Sequence, residues 1–169
     1  MTDFAARVTP SPVGDILIVV GDEGVVDLHP MRGPLEHELH RLSAALGGHV
    51  VPGERAGEDA VRQLREYFDG DRTAFDLPLD WRLVGGFTRD ALQAVRLIPY
   101  GETAGYGEVA AMAGKPRAAR AVGTACARTP FSVVVPVHRV VRADGSIGEY
   151  GGHPEVKRFL LDLERDAGG

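Results

Sequence analysis

The chain has 169 residues, 44% hydrophobic and 25% charged, with a formal net charge of −5. That length suits one large domain or two small ones, and no apolar run nears the roughly 18–20 residues needed to span a membrane. The N-terminus lacks a basic-then-apolar signal pattern, and the single cysteine, Cys126, excludes an intrachain disulfide, so a cytoplasmic location with no membrane partner is expected.

The acidic excess is unevenly placed. Residues 1–80 hold 7 Lys/Arg against 15 Asp/Glu, whereas residues 81–142 hold 9 against 3. A phosphate-bearing partner therefore suits the back half and not the front. Random scatter of surface charge is the alternative reading.

In chain order, Ser11-Pro12-Val13-Gly14 leads into Ile16–Val20, and Gly21-Asp22-Glu23-Gly24 leads into Val25–Leu28, the punctuation of a β-hairpin. Leu35, Leu39, Leu42 and Leu46 recur at helical spacing behind Pro34, and Val61, Leu64 and Phe68 do so again. Phe75 and Leu77-Pro78-Leu79 suggest a further short strand, which the proline places at an edge. These elements predict an α/β domain over residues 1–80.

From residue 81 the texture becomes helical. Thr88 is the expected N-cap of a helix carrying Ala91, Leu92, Val95 and Leu97. Tyr106–Ala113 reads as a short helix, Gly114-Lys115-Pro116 as a turn and Arg117–Ala127 as a second helix, which is helix-turn-helix spacing. Asp144-Gly145, between Val140-Val141 and Ile147, is a hairpin signal that would form a wing. A last helix from about Pro154 presents Val156, Phe159, Leu160 and Leu163 on one side and Lys157, Arg158 and Glu164 elsewhere. The fold class expected is an N-terminal α/β domain followed by a C-terminal winged helix-turn-helix domain over residues 81–169.

Within the second domain stands Val135-Pro136-Val137-His138-Arg139-Val140-Val141, continued by Arg142–Gly152 with its Gly-x-Tyr-Gly-Gly loop and by Lys157–Leu161 ending in Glu164. This set resembles the O6-alkylguanine-DNA alkyltransferases and their cysteine-less relatives, the alkyltransferase-like proteins. The resemblance implies a ribonuclease H-like first domain and a pocket into which an alkylated guanine is flipped out of the duplex. In such enzymes the alkyl group moves to a cysteine thiolate maintained by a histidine that a glutamate orients. The matching positions here are Val137, His138 and Glu164, so the nucleophile is missing and its two supporting residues remain. Relatives without the cysteine usually carry tryptophan or alanine there and often lack the first domain.

The resemblance assigns Tyr106 to rotating the nucleotide outward and Arg120 to filling the stack. It adds Arg117, Ala121, Gly123 and Arg139 to the DNA-facing set. Tyr106, Val135, Val137, Val140, Tyr150, Gly151 and Gly152 would line the lesion pocket. Taken alone, Tyr106 reads rather as a half-buried core aromatic, Arg120 as a solvated helix residue and His138 as a hydrogen-bonded structural histidine. The small residues along Ala118–Ala125 suit either close approach to a minor groove or close helix packing. Thr129 replaces an asparagine that joins the recognition helix to the active-site strand, and Glu149 and His153 are further departures. His37 and His40 lie three apart on a helix but lack a third metal ligand.

The function this implies is non-catalytic capture of O6-alkylguanine in double-stranded DNA, with nucleotide excision repair proteins as downstream partners and no cofactor or metal. Three alternatives stay open: a water-activating hydrolase or glycosylase using His138 and Glu164, an inactivated cysteine-to-valine form of an active methyltransferase, and a scaffold that no longer binds DNA.

Overall fold

The computed structural model describes residues 3–148 and 153–168, and the chain divides into two units, Met1–Leu83 and Val84–Gly169. Arg82 and Leu83 stay with the first unit because Arg82 pairs with Asp80 at 2.7 Å and Leu83 packs against its core. Among the described residues no helix is long and apolar enough to cross a membrane.

The first unit is built on a sheet of order β3-β2-β1-β4: β1 (Phe4–Thr9), β2 (Ile16–Gly21), β3 (Gly24–Pro30) and β4 (Val50–Pro52). The expected hairpin is β2–β3, antiparallel with a register shift between Val19 and Val20. Two strands, the inner β1 and the edge strand β4, escaped sequence reading. β1 pairs antiparallel with β2, and β4, only three residues long, pairs parallel with β1. Helix α1 (Leu35–Leu46) turns Leu39, Leu42 and Leu46 towards a cluster containing Phe4, Leu17, Val19, Val26 and Val50. Helix α2 (Glu58–Phe68) buries Val61, Leu64 and Tyr67.

The strand expected around Phe75 and Leu77–Leu79 contracts to a single bridge, Leu79 with Val25. Gln63 holds the stretch before it as a loop, donating to the Asp76 carbonyl at 2.9 Å and accepting the Asp76 N–H at 2.8 Å. At the bridge Pro78 approaches so closely that a Cβ on Gly24 would lie 2.3 Å from the Pro78 oxygen. Gly24 also has φ +124°, so only glycine serves there.

The second unit holds α3 (Gly86–Val95), β5 (Ala104–Gly105), α4 (Tyr106–Met112), α5 (Ala119–Ala127), β6 (Val140–Val141) and α6 (Pro154–Gly168). Ala91, Leu92 and Val95 of α3, Val109 and Ala110 of α4, and Val122 and Ala125 of α5 form its buried faces, where these three helices pack on one another. Three boundaries differ from expectation. Helix α3 starts at Gly86, so Thr88 lies in its first turn and caps nothing. Helix α5 starts at Ala119, leaving Arg117 in the preceding turn. The Asp144-Gly145 turn forms, closed by Gly145 N–H to the Arg142 carbonyl and Arg142 N–H to the Ser146 carbonyl, both 2.9 Å. It does not join two strands: β6 pairs in parallel with β5, and Ile147 lies outside any strand.

Helix α6 also turns differently. Lys157 and Glu164 are buried with Val156 and Leu160, while Phe159 is exposed. Lys157, Leu160 and Glu164 are spaced i, i+3 and i+7, so all three lie on one face. The polar residues were assigned outward because periodicity counts them as surface.

Candidate functional site

The valine-rich segment before Val137 forms no strand; it is a chain of tight turns. Val134 N–H donates to the Ser132 carbonyl at 2.8 Å across Val133, whose φ of +70° is the only positive value among described non-glycine residues. That is the strained form of a γ-turn, rare for a β-branched residue. Val137 N–H then donates to the Val135 carbonyl at 2.8 Å across Pro136, whose φ −80° and ψ 61° make the relaxed inverse γ-turn. Thr129 acts only locally here, its hydroxyl accepting the Phe131 N–H at 3.0 Å. The result is a folded plug whose residues Val133, Val134, Val135 and Val137 are all buried.

Val137, His138 and Arg139 then form one turn of 3₁₀ helix packed on α6. His138 Nε2 donates to Glu164 Oε2 at 2.7 Å, and Arg139 grips the same carboxylate with Nε at 2.8 Å and a second nitrogen at 3.0 Å. Glu164 Oε1 also accepts the Gly101 N–H at 3.2 Å. The carboxylate is thus held from three directions in a site it hardly leaves to solvent. Burial pushes the His138 pKa below its ordinary value. The Glu164 bond opposes this, while the charges of Arg139 and Lys157 reinforce it. His138 is therefore a neutral imidazole whose single proton sits on Nε2, leaving Nδ1 as a buried acceptor with no hydrogen-bond partner among the described residues.

Arg139 was expected to face DNA and does not. It is only 7% exposed; besides Glu164 it donates to the Ile98 carbonyl at 2.6 Å and lies 5.6 Å from the Tyr100 ring centre. With three of its N–H groups bonded inside the protein and its side chain buried, this guanidinium is not presented to a phosphate.

Val140, buried beside this turn, lies in β6, which aligns it with Ala104 and aligns Val141 with Gly105, the residue before Tyr106. The short parallel ladder thus fixes Tyr106 relative to the Val137 turn. Behind them Lys157, fully buried, donates from Nζ to the Val140 carbonyl at 2.6 Å, and its Nζ lies 5.8 Å from the centre of the Tyr106 ring. Burial draws the Lys157 pKa down to about 8 against the opposing pull of Cys126, with Arg142 adding to the fall. Cys126, on α5, is held mainly by burial as a thiol with pKa about 12 and is no spare nucleophile.

On the outer side Tyr106, Arg120, Gly123, Thr124 and Arg142 line an open groove of about 560 Å³. Arg120 and Ala121 are exposed on α5, Gly123 lies beneath the Tyr106 ring, and Arg117 is exposed ahead of the helix. The structure brings Tyr106, Arg120 and Gly123 together on this groove and places Val135, Val137 and Val140 in the adjoining interior. Tyr150, Gly151, Gly152 and Glu149 lie outside the described residues. His153 pairs with Glu155 at the surface. His37 and His40 are exposed on α1, and among the described residues no group of three or more potential ligands could hold a metal.

A second buried ionic cluster, in the first unit, escaped sequence reading. His29 faces Asp27 through Nδ1 and Glu38 through Nε2, the latter at 2.7 Å, and Arg41 reaches Glu38 at 3.0 Å. Burial alone would lower the His29 pKa, but the bonds and charges of both carboxylates outweigh it and raise it. Both ring nitrogens oppose an acceptor, so the imidazole is held as the cation. The available signal was Asp27 and His29 two apart on one strand, one face above Glu38. It was masked because β3 is buried on both faces and shows no alternation.

Residues 6–81 match the family model described as 6-O-methylguanine DNA methyltransferase, ribonuclease-like domain, and residues 86–166 match the DNA binding domain of the same family. The chain is similar to the methylated-DNA–protein-cysteine methyltransferase of Methanosarcina acetivorans, 38% identical over 154 residues that cover 91% of this chain and 94% of that one. It is 50% identical over 111 residues to the protein of the same name from Mycolicibacterium paratuberculosis, covering 66% and 67%. Among solved structures it is similar to Mycobacterium tuberculosis O6-methylguanine methyltransferase, with 36% identity and a TM-score of 0.84 over 97% of this chain and 94% of that one. The Mycobacterium tuberculosis protein OGT in complex with DNA gives 35% identity and a TM-score of 0.81 over 98% and 94%.

Proposed function

Because the chain belongs to the 6-O-methylguanine DNA methyltransferase family, we propose that it recognises O6-alkylguanine in duplex DNA and retains it without accepting the alkyl group. The observation that carries this reading is Val137. It occupies the position before His138, and a valine side chain has only C–H bonds where transfer requires a lone pair for in-line displacement. Binding and transfer separate here because the residues assigned to each lie apart. Tyr106, Arg120 and Gly123 stand on the outer groove with Arg117 and Ala121 nearby, whereas His138 and Glu164 form the interior pair. Tyr106 and Arg120 extrude the nucleotide, Arg120 filling the gap. The base enters beside Tyr106, against Val135, Val137 and Val140; Tyr150, Gly151 and Gly152, assigned to the pocket by the family resemblance, lie outside the described residues. The Mycobacterium tuberculosis relative solved with DNA supports DNA as the partner. A lesion held but not repaired must pass to another route, and nucleotide excision proteins are the partners proposed. The protein acts inside the cell, on DNA.

The test compares affinity for a duplex bearing O6-methylguanine with that for the same duplex undamaged, at one fixed ionic strength. The damaged duplex binds more tightly and keeps its methyl group. Arg120→Ala or Tyr106→Ala reduces the preference by about tenfold, or 1.4 kcal/mol. Equal binding of both duplexes, or a preference that survives both substitutions, defeats the reading.

One observation favours a second reading. Nδ1 of His138, which has no partner among the described residues, could take a proton from water beside Val137, making the site hydrolytic. Repeated release of base or alcohol from excess damaged DNA would establish it; intact DNA in a lasting complex removes it.

A further inference from the structure

We infer that Arg142 is a second cationic anchor of the groove, gripping a DNA backbone phosphate while Arg120 serves the flipped-nucleotide site. This deepens the DNA-binding reading above and rests on it.

The groove face of α5 is made from Ala119, Arg120, Gly123, Thr124 and Ala127, mostly small side chains that let another backbone approach closely. Among the described residues lining it, Arg120 and Arg142 are the only charged ones, and none is a carboxylate. Arg142 comes from outside the helix. Its strand neighbour Val141 pairs with Gly105, and its own N–H and carbonyl close the turn to Ser146 and Gly145, each at 2.9 Å. The main chain at Arg142 is thus locked in register with Tyr106, while its side chain is exposed and has no hydrogen bond or ion pair with any described residue. Asp144, the nearest acidic candidate on the same turn, is committed to Ser146 through its N–H at 2.9 Å and its hydroxyl at 2.7 Å. Arg139, three residues earlier, is the opposite case, with its guanidinium consumed inside the protein.

An element that enters a nucleic-acid groove has sugar-phosphate chains along its flanks, so a cation beside the entering helix meets phosphate and one on its face meets bases. Arg142 holds the flanking place. Lys157 lies close by: its ammonium is 5.8 Å from the centre of the Tyr106 ring, and after burial, the main cause, Arg142 adds to what disfavours its charged form. A phosphate at Arg142 would relieve that repulsion.

The experiment measures binding of the full chain to damaged and undamaged duplexes across a salt series, for wild type, Arg142→Ala, Arg142→Lys and Arg120→Ala. Arg142→Ala weakens both duplexes by the same factor, lowers the slope of log affinity against log salt by about one, and leaves lesion preference unchanged. Arg142→Lys restores the slope, and Arg120→Ala reduces the preference. An unchanged slope in Arg142→Ala, or a loss confined to the damaged duplex, overturns the inference while the DNA-binding reading stands. If wild type binds with salt dependence but without lesion preference, and Arg142→Ala still lowers the slope, the anchor stands and the lesion reading falls. Failure of wild type to bind any duplex overturns both.

Discussion

His138 and Glu164, 26 residues apart, meet at 2.7 Å inside the second unit, and the imidazole that gives Nε2–H to the carboxylate leaves Nδ1, on the residue after Val137, without a partner among the described residues. An acceptor nitrogen facing no donor is what a thiol or water in this position would satisfy.

Restoring the thiol tests that relationship. Val137→Cys is near volume-conserving and costs less than about 1.5 kcal/mol of stability. It is expected to accept one methyl group per protein molecule from O6-methylguanine duplex, as read by mass spectrometry. Val137→Cys combined with His138→Ala transfers far more slowly. An inert Val137→Cys protein that still binds damaged DNA would place the block in another departure, Thr129, Glu149 or His153.

Glu164 anchors the buried set whether or not transfer occurs. Glu164→Ala strands the Arg139 guanidinium and the His138 N–H among apolar residues, a loss of about 3–5 kcal/mol for a broken buried pair. Urea unfolding at neutral pH measures it. Glu164→Gln keeps the shape and an acceptor oxygen and loses less.

The two buried histidines make opposite pH demands. His29 has a raised pKa, so its contribution is complete below the ordinary value of 6.5 and is lost as pH rises through its folded value. His138 has a lowered pKa, so the unfolded chain takes up its proton first. The second unit is thus fully favoured above 6.5 and weakens as pH falls below it. Glu38, whose pKa is lowered despite burial, still supports the first unit until the pH falls below its ordinary 4.5. Between 6.5 and 4.5 amide hydrogen exchange should therefore accelerate in the second unit before the first. In alkali the first unit should lose its His29 contribution. Ring NMR signals showing His29 neutral and His138 charged at pH 6.5 would refute both assignments.

Cys126 should resist alkylation. With a pKa of about 12, it has almost no thiolate at neutral pH, so iodoacetamide should leave the folded protein unmodified and label it once urea unfolds it. Labelling of the folded protein at the rate of a free thiol contradicts the assignment.

The hairpin, both leucine-rich and mixed helices of the first unit, and the two helices around Gly114 were legible because each repeats apolar residues at its own period between turn signals. The short strands β4 and β5 were not, since two or three residues carry no period and are held by their partners; Val140-Val141 was read as an arm of a hairpin with Ile147, whereas it pairs with Ala104-Gly105. Arg139 and Lys157 were misplaced for a related reason. A cation is expected outside, and only a partner from a distant segment, Glu164 in one case and the Val140 carbonyl in the other, makes burial tolerable.

The missing nucleophile could be read from the chain alone, because the identity of residue 137 needs no coordinates and a valine cannot attack. The family motif likewise showed its residues in order. Tertiary structure decided which arginine faces outward: Arg139 is turned in by a carboxylate 25 residues away, while Arg142 is turned out by a two-residue ladder and a tight turn. Sequence spacing records which groups exist, but the energy of a buried charge depends on the partners that folding brings to it.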